Sequence, residues 1–232
     1  MAVEVSHLLQ RQKRQKAARL AMKTIVSSGK NKIETAEIES PIEKLSDHAL
    51  LEATRTGDET AFAEIVNRYK NQITNFLFRM LGDYEEAVDL AQETFIRVYC
   101  AVERYHAGYA FSTYIYRIAS NLAISELRKR KRRRLVSLSD LFGDNDETAT
   151  EFQPPDKAQL QDANLADAQL QKIVAKAIAT LPEKYRLPLI LRDVEDTTYE
   201  QIAQILNTNE GTIKSRISRG RNMLRDKLKN YF

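Results

Sequence analysis

Between residues 58 and 102, and again between 170 and 228, apolar residues return every three or four positions, the period of an amphipathic helix. Asp58 stands where an N-cap belongs, ahead of Phe62, Ile65, Val66, Tyr69, Ile73, Phe76 and Leu77 on one helical face. Gly82 can close that helix in a left-handed turn. Asp83 and Glu86 then form a variant capping box for a second long helix, whose apolar face is Val88, Ala91, Phe95, Val98, Tyr99 and Val102. Leu90 falls on the opposite face beside Asp89, Glu93 and Arg97. A lone exposed leucine is ordinary on any protein surface; framed by charges on a long helix, it also has the form of a docking ridge.

From Tyr105 to Arg134 the pattern changes, interleaving Tyr105, His106, Tyr109, Phe111, Tyr114 and Tyr116 with Arg117, Asn121 and Arg128. Aromatics at helical spacing usually belong to a core. These run directly into seven consecutive cations, Arg128 to Arg134. Aromatic faces stack on unpaired bases while Lys and Arg follow backbone phosphates, so the combination suits separated strands better than closed duplex. A merely solvated basic helix end gives the same pattern.

Residues 170–193 predict two further helical stretches, the first on Leu170, Ile173, Val174, Ala177, Ile178 and Leu181. Pro182 suits a first helical turn, and Pro188 is expected to kink or limit the helix it interrupts. Thr198 and Gln201 form a capping box for a short helix with Ile202, Ala203, Ile205 and Leu206 inside. Asn207-Thr208-Asn209 makes a turn, with Asn209 capping a final basic helix. Short helix, tight turn and longer basic helix form the helix-turn-helix pattern. In the last helix Ile213, Ile217, Gly220, Leu224 and Leu228 make the inward stripe. Lys214, Ser215, Ser218, Arg219 and Asn222 face away, with Arg216 and Arg221 on the flanks. Arg and Lys can reach guanine edges, while Ser and flanking cations suit phosphates; a solvated basic face is the plain alternative.

Charge sharpens the division. The 232 residues carry a net +4, but it is segregated: +4 over residues 1–45, +2 over 46–134, −7 over 135–169 and +5 over 170–232. Ser137, Ser139, Gly143, Asn145, Thr148 and Pro154–Pro155 interrupt helical periodicity in the acidic stretch, which reads as a linker. The expected fold class is therefore all-α, with two small helical domains at 46–134 and 165–232, an acidic linker at 135–164 and a basic, partly disordered extension at 1–45. Within the extension, residues 7–26 can form a basic amphipathic helix. One cysteine, Cys100, precludes an internal disulfide and fits a reducing, cytoplasmic location. Three scattered histidines and no phosphate-cradling glycine motif argue against a metal site or a nucleotide-processing enzyme, and no cofactor is expected. No stretch has the apolar length of a membrane span, and no signal-peptide segment opens the chain.

Four segments together, GDETAFAEIVNRY, AVDLAQETFIRVY, FSTYIYRIASNLAISELRKRKRR and LPEKYRLPLILRDVEDTTYEQIAQILNTNEGTIKSRISRGR, resemble the bacterial sigma-70 superfamily. The lack of a middle domain points to its extracytoplasmic-function group. That resemblance implies a promoter-specificity subunit of RNA polymerase, not an enzyme by itself. It gives Asp89, Leu90, Gln92 and Glu93 the role of docking on the clamp helices of the largest polymerase subunit, with the polymerase flap as a further contact. It assigns −10 recognition and strand opening to Tyr105, Tyr109, Phe111, Thr113, Tyr114, Arg117, Asn121 and Arg128. Thr212, Lys214, Ser215, Arg216, Ser218 and Arg219 would bind the −35 element of promoter DNA. It also implies an anti-sigma factor as partner. The sequence departs from the family at Tyr114, where tryptophan is usual, at Ser125, where aspartate is usual, and at Asp196, which replaces a common glycine. The alternatives are a helix-turn-helix regulator that never engages core polymerase and a degenerate, decoy-like relative; a phosphotransfer enzyme lacks its clustered carboxylates.

Overall fold

The computed structural model describes residues 45–105, 108–140 and 173–229, and the side chains of these except 134–140. The N-terminal segment with its expected helix over 7–26, His106, and residues 141–172 of the acidic connection lie outside the described residues. Every regular element among the described residues is helical.

Ser46 accepts a hydrogen bond from the Ala49 N–H at 3.3 Å and opens α1 (Asp47–Arg55). Asp58 accepts from the N–H groups of Thr60 at 2.9 Å and Ala61 at 3.2 Å, opening α2 (Glu59–Leu81). Its bond with the Thr60 hydroxyl, above all, holds the Asp58 carboxyl below its ordinary range. Gly82 ends α2 at φ +74°, where a side chain would be strained. Asp83 then accepts from the Glu86 N–H at 3.0 Å at the start of α3 (Tyr84–Ala101). Only that half of the expected capping box forms, because Arg130 engages the Glu86 carboxylate. A 3-10 turn, Val102–Arg104, leads towards α4 (Phe111–Asp140). This helix continues through Ser137 and Ser139, which the sequence reading expects to interrupt helical periodicity. Serine is only a mild helix opponent, and extending a formed helix is far easier than starting one.

The chain divides into two compact units whose border crosses the long helices. Of the described residues, one holds 45–71, 91–105 and 108–118. Its core holds Leu50, Phe62, Ile65, Phe95, Val98, Tyr105, Phe111 and Ile115, all buried. Edge-on ring contacts join Phe62 to Tyr99 and Tyr69 to Phe111, with centroids 4.9 and 5.1 Å apart. Asp47 accepts from the Tyr69 hydroxyl at 2.5 Å and from Arg68 at 3.0 Å, pinning α1 to α2.

The other unit holds, of the described residues, 72–90, 119–140 and 173–229. It contains a helix over 173–179 (α5), then α6 (Glu183–Asp193), α7 (Tyr199–Leu206) and α8 (Glu210–Leu228). Pro182 is the N-cap of α6, one position earlier than expected, and Pro188 lies inside the helix without ending it. Proline there forfeits one backbone bond; the buried run Leu187 to Leu191 keeps the helix against its neighbours nonetheless. Arg186 is largely buried and donates to the Leu181 carbonyl at 2.8 and 3.1 Å and to the Met80 carbonyl at 2.6 Å. Burial lowers its guanidinium from the ordinary range.

Candidate nucleic-acid interface

The final three helices are built almost wholly from signals local in sequence. Thr198 and Gln201 cap α7 reciprocally: the Gln201 N–H donates to the Thr198 hydroxyl at 3.2 Å, and the Thr198 N–H to the Gln201 side chain at 3.1 Å. Asn207, left-handed at φ +48°, stops α7, and Asn209 accepts from the Thr212 N–H at 2.8 Å to start α8. Asp196, in the preceding turn, also adopts positive φ, at +50°. That is the conformation a glycine would adopt without cost, and Asp tolerates it better than most residues.

Ile213, Ile217 and Gly220 of α8 are buried, whereas Leu224 and Leu228 at its far end are half-buried. Burying each isoleucine stabilises the packing by about 1.5–3 kcal/mol. The opposite face presents Lys214, Ser215, Ser218, Arg219 and Asn222, all exposed, with Thr212 and Arg216 half-buried beside them. Lys214 sits 3.5 Å from Glu210 in an exposed i,i+4 pair, too solvated to hold it firmly. Arg221 is not a free flank. It bonds Asp193 through its Nε at 3.0 Å, and that bond chiefly raises its pKa. The major groove of B-DNA is wide enough to admit an α-helix.

On α4, Tyr114, Arg117, Asn121, Ser125, Arg128 and Arg132 fall on one stripe by their spacing of three and four. Asn121, Ser125, Arg128 and Arg132 are exposed, whereas Tyr114 and Arg117 are half-buried. Arg117 lies 5.9 Å from the Tyr109 ring centroid, within cation–π range. Tyr109 is 54% exposed and thus free to receive a planar group. Tyr105, Phe111 and Thr113 are 6%, 4% and 2% exposed, so they form the wall under the stripe and offer no open stacking face. Tyr114 bridges the two, its ring 5.3 Å from that of Tyr105, and burial raises its phenol from the ordinary value. Arg128 also lies 3.7 Å from Glu183. The basic run is not uniform: Arg130 donates to the Leu81 carbonyl at 2.9 Å and pairs with Glu86, so it braces the fold. An open recess of about 510 Å³ lies among Ser125, Arg128, Lys131 and Arg132.

On α3, Asp89 is exposed, and Gln92 and Glu93 are half-buried. Leu90 is half-buried as well, not the exposed ridge that the pattern suggested, and it makes contacts of its own. Glu93 pairs with Arg97 at 2.8 Å. Tyr185 and Tyr199, near the cations of α8, were not singled out by periodicity. The approach of Tyr199 to Lys214 and of Tyr185 to Gly220 bridges 15 and 35 residues, for which no local pattern exists. Among the described residues, no three His, Cys, Asp or Glu side chains are grouped to hold a metal ion, and no helix is long and apolar enough to cross a membrane.

The Sigma-70 region 2 family model matches residues 65–133, and the Sigma-70, region 4 model matches residues 171–224. The chain is 36% identical to the ECF RNA polymerase sigma factor SigW of Bacillus subtilis over 78% of its own length and 95% of that protein. It is 33% identical to the ECF RNA polymerase sigma-E factor of Haemophilus influenzae, over 80% of this chain and 97% of the relative. Among solved structures, the sigma factor RpoE bound to the anti-sigma factor NepR from Bartonella quintana shares the fold. Its TM-score is 0.56 at 24% identity, over 72% of this chain and 96% of that one. CnrH in complex with the cytosolic domain of CnrY gives a TM-score of 0.56 at 18% identity, over 79% and 97%.

Proposed function

This chain belongs to the extracytoplasmic-function RNA polymerase sigma factors, and from that premise we propose how its residues divide the work of promoter recognition. As a sigma factor it directs core RNA polymerase to specific promoters, and the chemistry of transcription stays with the polymerase. Two functional modules, 46–134 and 165–232, act in series, joined by the acidic linker. Residues 1–45 lie outside this division.

The observation that carries the reading is the capped α7–turn–α8 unit, with Lys214, Ser215, Ser218 and Arg219 exposed along one ridge. In this reading those four residues read the −35 element in the major groove, Thr212 and Arg216 steady the backbone contact, and the ridge holds duplex. The α4 stripe takes the separated strand. Arg117, Asn121 and Arg128 follow its phosphates, Tyr109 supplies the open ring, and Tyr114 stacks from a half-buried position. Tyr105, Phe111 and Thr113 serve as the rigid floor beneath. Unstacking a base step costs a few kcal/mol, which stacking on an aromatic ring at about 1–3 kcal/mol per base together with phosphate contacts can offset.

Asp89, Leu90, Gln92 and Glu93 dock on the clamp helices of core polymerase. A half-buried Leu90 among polar neighbours is a suitable anchor, since hot spots combine an apolar centre with a polar surround. An anti-sigma factor covering these surfaces is the expected regulator, and the cytoplasm the expected location. The test is Leu90→Arg in the full chain. Co-elution with core polymerase should fall by at least about 30-fold, the scale of a lost hot spot, with unchanged far-UV ellipticity. Undiminished binding and activity would instead favour a regulator that acts on duplex alone.

A further inference from the structure

A tyrosine outside the DNA-facing ridge lies against one of the cations that compose it. Tyr199 is the first residue of α7, fixed there by the Thr198–Gln201 capping box. Its ring centroid lies 5.7 Å from the Lys214 ammonium and 5.1 Å from the Arg192 guanidinium. Arg192 is itself tied down, donating to the Thr197 carbonyl at 3.1 Å.

Lys214 is otherwise loosely held. Its side chain is 59% exposed, and among the described residues its ion pair is the solvated 3.5 Å contact with Glu210. A free lysine has some 2 kcal/mol of rotamer entropy to lose on binding, which blurs any preference for one base over another. A ring that favours one region of that rotamer space lowers this cost before DNA arrives.

We propose that Tyr199 is a positioning residue for promoter reading: its ring holds Lys214 in a preorganised orientation on the recognition helix and thereby sharpens discrimination at the −35 position that Lys214 faces. This rests on the assignment of Lys214 to the −35 element. Tyr199 acts through Lys214, so the two residues are coupled and not additive.

The experiment is a double-mutant cycle in the full chain bound to core polymerase, scoring transcription from a promoter set randomised across the −35 element. Lys214→Ala sets the scale. Tyr199→Leu should lose about 2–5-fold of discrimination at the same position, the range of an exposed cation–π contact. It should lose nothing further in the Lys214→Ala background. Tyr199→Phe, which keeps the ring, should retain the preference. A second readout needs no DNA: in chain carrying 13C-labelled lysine, the Lys214 ε-methylene resonance should be displaced by the ring current. That displacement should vanish in Tyr199→Leu and persist in Tyr199→Phe. Additive losses in the cycle, or a Lys214 resonance indifferent to Tyr199→Leu, overturn the proposal. A Lys214→Ala variant with unchanged −35 preference overturns the underlying assignment and the proposal with it, even if the resonance behaves as expected.

Discussion

Gly220 offers a quantitative test of how the recognition helix is seated. A Cβ at this position would stand 3.3 Å from the Tyr185 carbonyl oxygen, 3.6 Å from the Tyr185 Cβ and 3.8 Å from the Leu189 Cβ. Two opposed effects then set the outcome of substitution. Replacing a mid-helix glycine with alanine gains about 0.8–1 kcal/mol in helix propensity. Against that, one methyl must displace a helix backbone by a few tenths of an ångström, so Gly220→Ala should be close to neutral. Gly220→Val differs in kind. It recovers only about 0.3 kcal/mol of propensity and adds two γ-carbons whose χ1 is nearly fixed in a helix. Overpacking of this sort costs about 1–3 kcal/mol, and the strain falls on the α6–α8 contact that seats the cationic ridge. Urea unfolding of the full chain by far-UV ellipticity should show alanine within about 0.5 kcal/mol of the parent and valine lower by about 1–3 kcal/mol. Transcription from a −35-dependent promoter should fall with valine and not with alanine. A valine variant as stable and active as the parent, or an alanine variant as damaged as valine, would refute the close-approach reasoning.

Two further predictions separate side chains that sequence alone treats alike. Arg130→Gln removes the bond to the Leu81 carbonyl and the pair with Glu86 and should destabilise by about 1–3 kcal/mol. Arg132→Gln, at an exposed position, should stay within about 0.5 kcal/mol while weakening DNA engagement at raised salt; equal thermal shifts for both would contradict the division. Burial, and then its bond to Asp47, raises the Tyr69 phenol well above the ordinary value of 10.0. A group whose folded pKa exceeds its unfolded one stabilises fully below the unfolded value and loses that contribution as pH climbs towards the folded one. Stability should therefore decline from about pH 10 upward, less steeply in Tyr69→Phe. An unchanged alkaline slope in that variant would show that Tyr69 does not carry it; Tyr105 and Tyr114, raised mainly by burial, would then account for it.

Much of the local architecture was legible because it depends on neighbours a few residues apart. The caps at Asp58, Thr198, Gln201 and Asn209, the left-handed Gly82 and the buried stripe of Ile213, Ile217 and Gly220 all follow from side chains acting within one turn or one face. Aromatic positions were ambiguous for a physical reason: helical spacing puts Tyr105 and Tyr109 in the same run, yet only tertiary packing buries the first and leaves the second open. The seven-cation run gave no hint that Arg130 is spent on Glu86, 44 residues away. Arg186 likewise reads as a surface residue until its bond to Met80, 106 residues away, is seen. The extent of α4 was underestimated because isolated serines weaken a helix without stopping it. Leu90 stands on the face opposite the apolar stripe of α3, yet it is half-buried, which helical spacing alone does not predict.

The most direct test of the central claim is transcription in vitro by bacterial core polymerase on fragmented genomic DNA of the source organism, with and without this chain, with start sites mapped. The account predicts discrete new starts that share upstream elements at −35 and −10 spacing and vanish with Leu90→Arg. Binding to core without any new start, or no binding at all, would contradict it.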